Sequence, residues 1–180
     1  AAFHALSLRY FNPVGAHMSG LNGELPKGRP NNLVPVVTQS ASGWIDDLCV
    51  HGDDYETRDG TPIRDYIHVS DIAHAHVLAL EYLQAGKAAT NYDVFNLGSG
   101  TGVTVLEVIQ AFEEVSEMKL NYTVGPRREG DVEIIYANNQ KAKDLLQWEI
   151  KHSIEDAMRS AWKWQQYLNV VRNGDTVHLG

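Results

Sequence analysis

The stretch VFNLGSGTGVTVLEV, residues 94–108, decides the fold because an apolar run leads through a glycine-rich turn into the start of a helix. Thr104 stands where a helix N-cap is expected. Glu107 follows three residues later and completes the pattern of a capping box. The stretch therefore predicts a strand, a tight turn and a helix in immediate succession.

The glycine turn leaves two interpretations open. Backbone N–H groups at the N-terminus of a helix can receive a pyrophosphate, as they do in dinucleotide-binding turns. Here, however, the glycines at positions 98, 100 and 102 follow G-x-G-x-G spacing, whereas the dinucleotide fingerprint is G-x-G-x-x-G and position 103 is Val103. The alternative is a tight strand-to-helix turn whose glycines adopt positive φ angles.

Short apolar runs alternate with helical periods along the rest of the chain, which indicates an α/β or α+β fold. Strands are predicted over residues 4–11, 47–52, 63–69 and 120–124, and at the IIYA stretch of residues 134–137. Helices are predicted between Asn32 and Gly43, from Ser70 to Leu83, after Thr104, near residues 138–147, and from Ser153 to about Leu168.

Composition limits the classes of function. The 180 residues are 43% hydrophobic, which suits one domain, or one domain and part of another. A net charge of −8 without a basic run makes a nucleic-acid partner unexpected, and no apolar stretch approaches the roughly 18 residues of a membrane span. Cys49 is the only cysteine, which excludes an internal disulfide and suits the cytoplasm. The start lacks both an initiator Met and a charged leader, so we expect a fragment of a longer protein.

The histidines and the cysteine do not form a recognisable catalytic or metal pattern. In HVSDIAHAH, residues 68–76, His74 and His76 are two positions apart and would face different sides of a helix. A zinc-binding helix needs histidines four positions apart, so no metal site is expected. Cys49 lies inside an apolar run, which favours a structural thiol over a nucleophile.

Two arginine groups suggest an anion site. In PIRDYIH, residues 62–68, the strand alternation puts Arg64 and Tyr66 on one face, and PRREGD, residues 126–131, adds a second basic group. Arginine forks bind phosphate oxygens two at a time. The alternative is that Arg64 pairs with Asp65, and Arg128 with Asp131, on the surface; spacing alone does not choose between them.

Five segments in series resemble the UDP-glucose 4-epimerases, which are extended short-chain dehydrogenases/reductases. They are LRYFNPVGAHMSG, GRPNNLVP, VHGDDYETRDGTPIRDYIHVSDIAHAH, FNLGSGTGVTVLEV and RREGDVEIIYA, and AWKWQQ matches the last helix of the family. The resemblance covers nearly all of residues 6–168. It implies an α/β fold in which residues 1–180 form the C-terminal, UDP-sugar-binding portion. Residues 1–17 and about 60–78 would pack with an N-terminal NAD-binding half, whose Rossmann sheet the strands of this chain complete.

The resemblance also implies roles for individual residues. Tyr10 and Pro13 match positions that lie against the nicotinamide end of NAD. Arg64 and Arg128 match the diphosphate-binding arginines, and Ile135 matches a wall of the sugar pocket. The full set of substrate-binding positions is Asn12, Asn32, Leu33, Cys49, Val50, His51, Arg64, Tyr66, Arg128, Asp131 and Ile135. Within it, Cys49, Val50 and His51 match the strand that binds uracil through its backbone, with His51 in place of the more familiar Phe.

The activity implied by the resemblance is the interconversion of UDP-glucose and UDP-galactose through a 4-keto intermediate formed with NAD. The N-acetylated pair of sugars is a further candidate substrate. The catalytic Y-x-x-x-K pair and the G-x-x-G-x-x-G cofactor loop would both lie upstream of Ala1, so the isolated chain would be inactive, and the glycine turn at residues 98–102 would not bind NAD. The whole enzyme would be a cytoplasmic homodimer. Alternatives are another sugar-nucleotide epimerase, dehydratase or decarboxylase, and a non-catalytic nucleotide-sugar-binding module.

Overall fold

A computed structural model describes residues 3–174, so residues 1 and 2 and the end of the C-terminal tail lie outside the described part. Helices and strands alternate, and the α/β class predicted from the sequence is confirmed. The strands are β1 Ala5–Tyr10, β2 Asn12–Val14, β3 Cys49–His51, β4 Ile63–Arg64, β5 Tyr66–His68, β6 Tyr92–Leu97, β7 Val103–Thr104 and β8 Thr123–Gly125. The helices are α1 Leu33–Ala41, α2 Val69–Gln84, α3 Val105–Ser116, α4 Gln140–Leu146 and α5 Ile154–Arg172.

The strands pair two by two. β1 lies parallel to β6 in a register that joins Ala5 to Tyr92 and Tyr10 to Leu97. β2 pairs in parallel with β5, and β3 with β8, whereas β4 and β7 are antiparallel. These pairings bring together parts of the chain that are far apart in sequence, and the ends of several strands meet at one site.

Two hydrophobic cores support these strands. In the first, α1, α3 and α5 pack together through side chains such as Val37, Phe112 and Met158. In the second, α2 and α4 pack near β1 and β6 around Phe95 and Trp148. No helix within residues 3–174 has both the length and the apolar character needed to cross a membrane.

The helix starts follow the local sequence at three of four places, and Asn32 is the N-cap of α1 as predicted. The capping box at α3 is confirmed, because Thr104 Oγ1 accepts a hydrogen bond from the Glu107 N–H at 3.1 Å and the Glu107 carboxylate accepts one from the Thr104 N–H at 2.9 Å. The start of α5 was predicted at Ser153, which is its N-cap. The predicted cap of α2 at Ser70 was wrong. The N-cap is His68, whose Nδ1 accepts the Ser70 N–H at 3.0 Å, since the chain passes from β5 into α2 without a loop.

Two predicted strands also differ from the structure. The strand over residues 63–69 is broken at Asp65 into β4 and β5. The IIYA stretch forms no ladder beyond an isolated bridge between Ile63 and Ile134. Its final N–H, on Ala137, donates to the Asp65 carboxylate instead of to a strand partner. Asp65 is therefore found at both departures, as the break between β4 and β5 and as the acceptor for Ala137.

Candidate functional site

A cavity of about 300 Å³ opens where β2, the start of α1, β3, β4 and β5 converge with the loop that follows β8. Nine of the eleven predicted substrate-binding residues line it, although they come from positions scattered over most of the chain. They are Asn12, Asn32, Leu33, Cys49, His51, Arg64, Tyr66, Arg128 and Asp131. Pro13, predicted to lie against NAD, lines the same cavity.

The remaining predicted residues lie outside the cavity lining. Val50 is in the middle of β3 and its side chain is buried in the first core. Tyr10 is exposed at the end of β1, with its ring centroid 6.4 Å from that of His76. Ile135 is half-buried beside β4, where its N–H donates to the Ile63 carbonyl at 3.1 Å.

Arg64 forms an ion pair with Asp131 at the cavity, where their side chains are only 14% and 27% exposed. Its Nη1 also donates to the Ile63 carbonyl at 2.8 Å, which fixes the guanidinium plane. The alternative in which Arg64 pairs with Asp65, and Arg128 with Asp131, is therefore wrong. Asp131 pairs with Arg64, and the Asp65 side chain points away from the cavity. Within residues 3–174, Arg128 has no carboxylate in ion-pair range and lines the cavity with its charge unneutralised.

Tyr66 adds a neutral hydrogen-bonding group to this charged site. Burial raises the pKa of its phenol above the ordinary value, while the neighbouring Arg64 charge acts in the opposite direction and Asp131 adds to the rise. The phenol consequently keeps its proton across the physiological pH range. Its hydroxyl can both donate and accept a hydrogen bond.

The N-terminus of α1 faces the same cavity. Asn32 is the N-cap, yet its side chain makes no capping bond and Nδ2 donates instead to Glu24 Oε1 at 3.1 Å. Leu33 and Val34, the first two helical residues, line the cavity. The N–H groups of a first helical turn have no partner inside the helix and carry partial positive charge. The site therefore combines a helix N-terminus with two arginines, which suits an anion.

The glycine turn is filled by the protein itself. The Asp65 carboxylate accepts hydrogen bonds from the N–H groups of Ser99 at 2.6 Å and Gly100 at 3.2 Å. A Cβ on Gly98 would lie 2.3 Å from Asp65 Oδ2, and Gly100 and Gly102 have φ angles of 78° and 64°. The amides that a cofactor pyrophosphate would need are already occupied, so this turn does not fit NAD.

The importance of Asp65 was missed in the sequence, where it was considered only as a partner for Arg64. The signal was available, because strand alternation sends residue 65 to the opposite face from Arg64 and Tyr66. The structure also brings no three His, Cys, Asp or Glu side chains of residues 3–174 together as a metal site.

Comparison with known proteins places this geometry in a family. A model of the GDP-mannose 4,6 dehydratase family matches residues 1–161. A UDP-glucose 4-epimerase of Erwinia amylovora is 47% identical over 163 residues, which are 91% of this chain and 48% of the relative. The chain thus spans about half the length of the curated relatives it matches.

Solved structures agree. The chain superimposes with a TM-score of 0.91 and 46% identity on a UDP-glucose 4-epimerase of Stenotrophomonas maltophila, crystallised with NAD and formylated UDP-arabinopyranose, covering 95% of this chain and 50% of that one. For the Bifidobacterium longum enzyme, in complex with NAD+ and UDP, the TM-score is 0.85 and the identity 44%, over 92% of this chain and 48% of that one. Since the family model spans most of its length, the chain belongs to the GDP-mannose 4,6 dehydratase family of extended short-chain dehydrogenases/reductases.

Proposed function

We propose that this chain is the UDP-sugar-binding part of a UDP-glucose 4-epimerase, an enzyme that interconverts UDP-glucose and UDP-galactose. The observation that carries the proposal is that one cavity gathers nine predicted substrate residues in an epimerase-like fold. The chain as a whole has a net charge of −8, so the two arginines of the cavity stand out as a local positive site. A local positive site in an acidic protein selects small anions.

The diphosphate is the part of the ligand that the cavity suits best. Arg64 and Arg128 provide forked donors for phosphate oxygens, and the N-terminus of α1 adds backbone N–H groups at Leu33 and Val34. Asp131 and the Ile63 carbonyl keep the Arg64 guanidinium at the cavity, and its remaining N–H groups can donate to a ligand. Asn12 and Tyr66 provide neutral polar contacts nearby.

Strand β3 is the proposed uracil-binding element. It pairs with β8 along one edge, and within residues 3–174 its other edge has no strand partner. A free strand edge offers alternating backbone donors and acceptors, which is what the polar edge of uracil requires. The buried Val50 anchors the strand in the core, while Cys49 and His51 face the cavity. The His51 ring is available to stack on the base.

This arrangement suits a division of labour in the whole enzyme. Directional contacts hold the UDP firmly, while the hexose must stay loose enough to present either face of carbon 4 to the reacting groups. We assign the NAD site and the acid–base pair to the part of the enzyme outside this chain, with Tyr10 and Pro13 at its border. Residues 1–17 and about 60–78 would pack against that part, which agrees with the exposed Val77 on α2.

Further features of the whole enzyme follow from the resemblance. We propose a homodimer, and a cytoplasmic location that agrees with the lone Cys49. We also propose that the N-acetylated pair of UDP-sugars is accepted, because Ile135 is smaller than the Tyr found at that position in some epimerases. The predicted role of Ile135 as a wall of the sugar pocket thus remains a proposal.

Calorimetric titration of the chain with UDP, and separately with NAD, tests the proposal. UDP should bind with one site per chain. NAD should not bind measurably, because the Asp65 carboxylate already occupies the N–H groups of the glycine turn. Absence of UDP binding would contradict the proposal. Tight, stoichiometric NAD binding would make the glycine turn a cofactor site and would contradict it too.

A further inference from the structure

Asp65 is a fully buried carboxylate, with 0% exposure, between two residues that line the cavity. Arg64 and Tyr66 face the cavity, while Asp65 points to the opposite side. There Oδ1 accepts the Ser99 N–H, and Oδ2 accepts the N–H groups of Gly100 and Ala137, the last at 2.9 Å. None of these three donors lines the cavity, so Asp65 acts on the site only through other residues.

The bonds of Asp65 join three separate segments that form the cavity. Its carbonyl accepts the Asn12 N–H at 3.0 Å, which ties β2 to β5. Its carboxylate holds Ala137, at the end of the segment that begins with the cavity residue Asp131. Because side chains alternate along an extended chain, burying Asp65 on one side turns its neighbours Arg64 and Tyr66 to the cavity side. The buried carboxylate thus joins the β4–β5 junction to the glycine turn and to the segment after Asp131, and the backbone of the same residue holds β2.

We propose that Asp65 is a positioning residue for the diphosphate site, and this inference rests on the proposed function. Its three backbone donors clamp the β4–β5 junction against the glycine turn, so that the Arg64 guanidinium and the Tyr66 hydroxyl are held at the cavity before a ligand arrives. The glycine turn, whose sequence resembles a cofactor loop, is on this account the receptor for an internal carboxylate. Asp65 itself does not contact the ligand.

The chemistry of the clamp requires a carboxylate of this length. Asparagine has a single accepting oxygen, so its amide group would face at least one N–H donor and leave it unpaired in a buried place. Glutamate would be too long, because the Asp65 carboxylate already packs closely against Gly98. A Cβ added to Gly98 would lie only 2.3 Å from Asp65 Oδ2. Asparagine has the same shape as aspartate and differs only in its hydrogen-bonding groups, so Asp65→Asn is the most informative variant.

Asp71 provides a matched control. Its side chain is also buried. Oδ2 accepts the N–H groups of Lys151 and His152 at 3.2 and 3.1 Å, and Oδ1 pairs with His152 Nδ1 at 2.8 Å. Neither Asp71 nor its partners line the cavity. Asp71→Asn therefore removes a comparable buried clamp without disturbing the elements that carry Arg64.

The experiment measures the Kd of UDP and of uridine by calorimetry, and the Tm, for the parent chain, Asp65→Asn and Asp71→Asn. Both variants should have a lower Tm. Asp65→Asn should raise the Kd of UDP about tenfold or more and the Kd of uridine much less, because the misplaced arginine contacts the diphosphate. Asp71→Asn should change neither Kd by more than about twofold.

The inference is overturned if folded Asp65→Asn binds UDP like the parent, or if both variants weaken UDP binding equally. Should Asp65→Asn fail to fold, Gly98→Ala carries the test. Its Cβ would displace both the Asp65 carboxylate and the Ala137 that the carboxylate holds, and the same UDP-selective loss is expected. A parent chain that does not bind UDP would overturn the proposed function as well. Normal parent binding with an unaffected variant would overturn this inference alone.

Discussion

The guanidinium of Arg64 and the carboxylate of Asp131 form a partly exposed ion pair across 67 positions of sequence. Removing either partner would leave the other charge without its ion-pair partner at a site that water reaches only in part, which is unfavourable. The pair therefore fixes the position of Arg64 at the cavity before any ligand binds. Arg128, by contrast, has no such partner within residues 3–174. Its substitution therefore tests ligand binding without breaking an ion pair.

Arg128→Ala should raise the Kd of UDP about tenfold to a hundredfold. The reason is that each charge-assisted hydrogen bond to a phosphate contributes roughly 1.5–3 kcal/mol. Arg128→Lys should recover only part of the loss, because an ammonium cannot make the two parallel bonds of a guanidinium. Calorimetry with UDP measures both effects.

Arg29→Ala is the control for this series. Arg29 forms an exposed ion pair with Asp47 at 2.6 Å and does not line the cavity, so its loss should leave the Kd unchanged. Parent-like UDP binding by both Arg128 variants would mean that Arg128 is an ordinary surface residue.

Cys49 reports on occupancy of the cavity. It is the only cysteine, it is half-buried, and it lines the cavity beside His51. UDP at ten times its Kd should slow alkylation of the thiol by iodoacetamide about tenfold, because only the unbound fraction reacts. Mass spectrometry follows the modification, and NAD at the same concentration should leave its rate unchanged. Unprotected alkylation at saturating UDP would place the nucleotide elsewhere.

His68 should make the stability of the chain depend on pH. Burial lowers the pKa of its imidazole, and the charge of the stacked His152 acts in the same direction, while Asp71 and Asp156 oppose the shift. The folded chain therefore binds fewer protons than the unfolded chain as the pH falls below about 6.5. The free energy of unfolding should decrease there, by at most about 1.4 kcal/mol per pH unit for one proton.

Thermal unfolding between about pH 7.5 and 5.5 measures this effect. His68→Asn keeps an acceptor for the Ser70 N–H but does not titrate, so its Tm should vary less with pH than that of the parent. His17→Asn, at an exposed histidine, should keep the parent slope. The lowered pKa of Asp156 acts only below about pH 4, outside this window. Equal slopes for the parent and His68→Asn would contradict the assignment.

The sugar specificity of the whole enzyme depends, on our proposal, on Ile135. A Tyr at this position would crowd an acetamido group on carbon 2 of the hexose, and overpacking of this kind costs about 1–3 kcal/mol. In the full-length epimerase, Ile135→Tyr should lower kcat/KM for UDP-N-acetylgalactosamine roughly tenfold to a hundredfold and affect UDP-galactose much less. Equal losses on both substrates would indicate a packing defect, and a parent inactive on the acetylated sugar would contradict the proposal.

Local chemistry was predictable from the sequence, and long-range contacts were not. The Thr104 capping box depends on residues three positions apart, so its pattern is complete in the sequence. The partner of Arg64 lies 67 positions away, and nothing in the spacing of either segment selects Asp131 over the adjacent Asp65. Only the folded arrangement of β4 and the segment after β8 makes that choice.

The same distinction between local patterns and long-range contacts applies to the candidate site. Its residues were named through family resemblance, because no local pattern joins Asn32 to Arg128. The glycine turn was recognised as a poor cofactor fingerprint from its spacing, but the reason why Gly98 must be glycine is a contact with Asp65. The predicted strand at residues 134–137 is reduced to a single bridge with Ile63, and an apolar run does not reveal that its last N–H is taken by the Asp65 side chain.

A crystal structure of this chain with UDP bound is the measurement that tests the central claim most directly. The account predicts that the diphosphate lies between Arg64 and Arg128 at the N-terminus of α1, with uracil along β3. Asp65 should still hold the N–H groups of Ser99 and Gly100. A nucleotide bound outside this cavity, or phosphates on those N–H groups with Asp65 displaced, would contradict it.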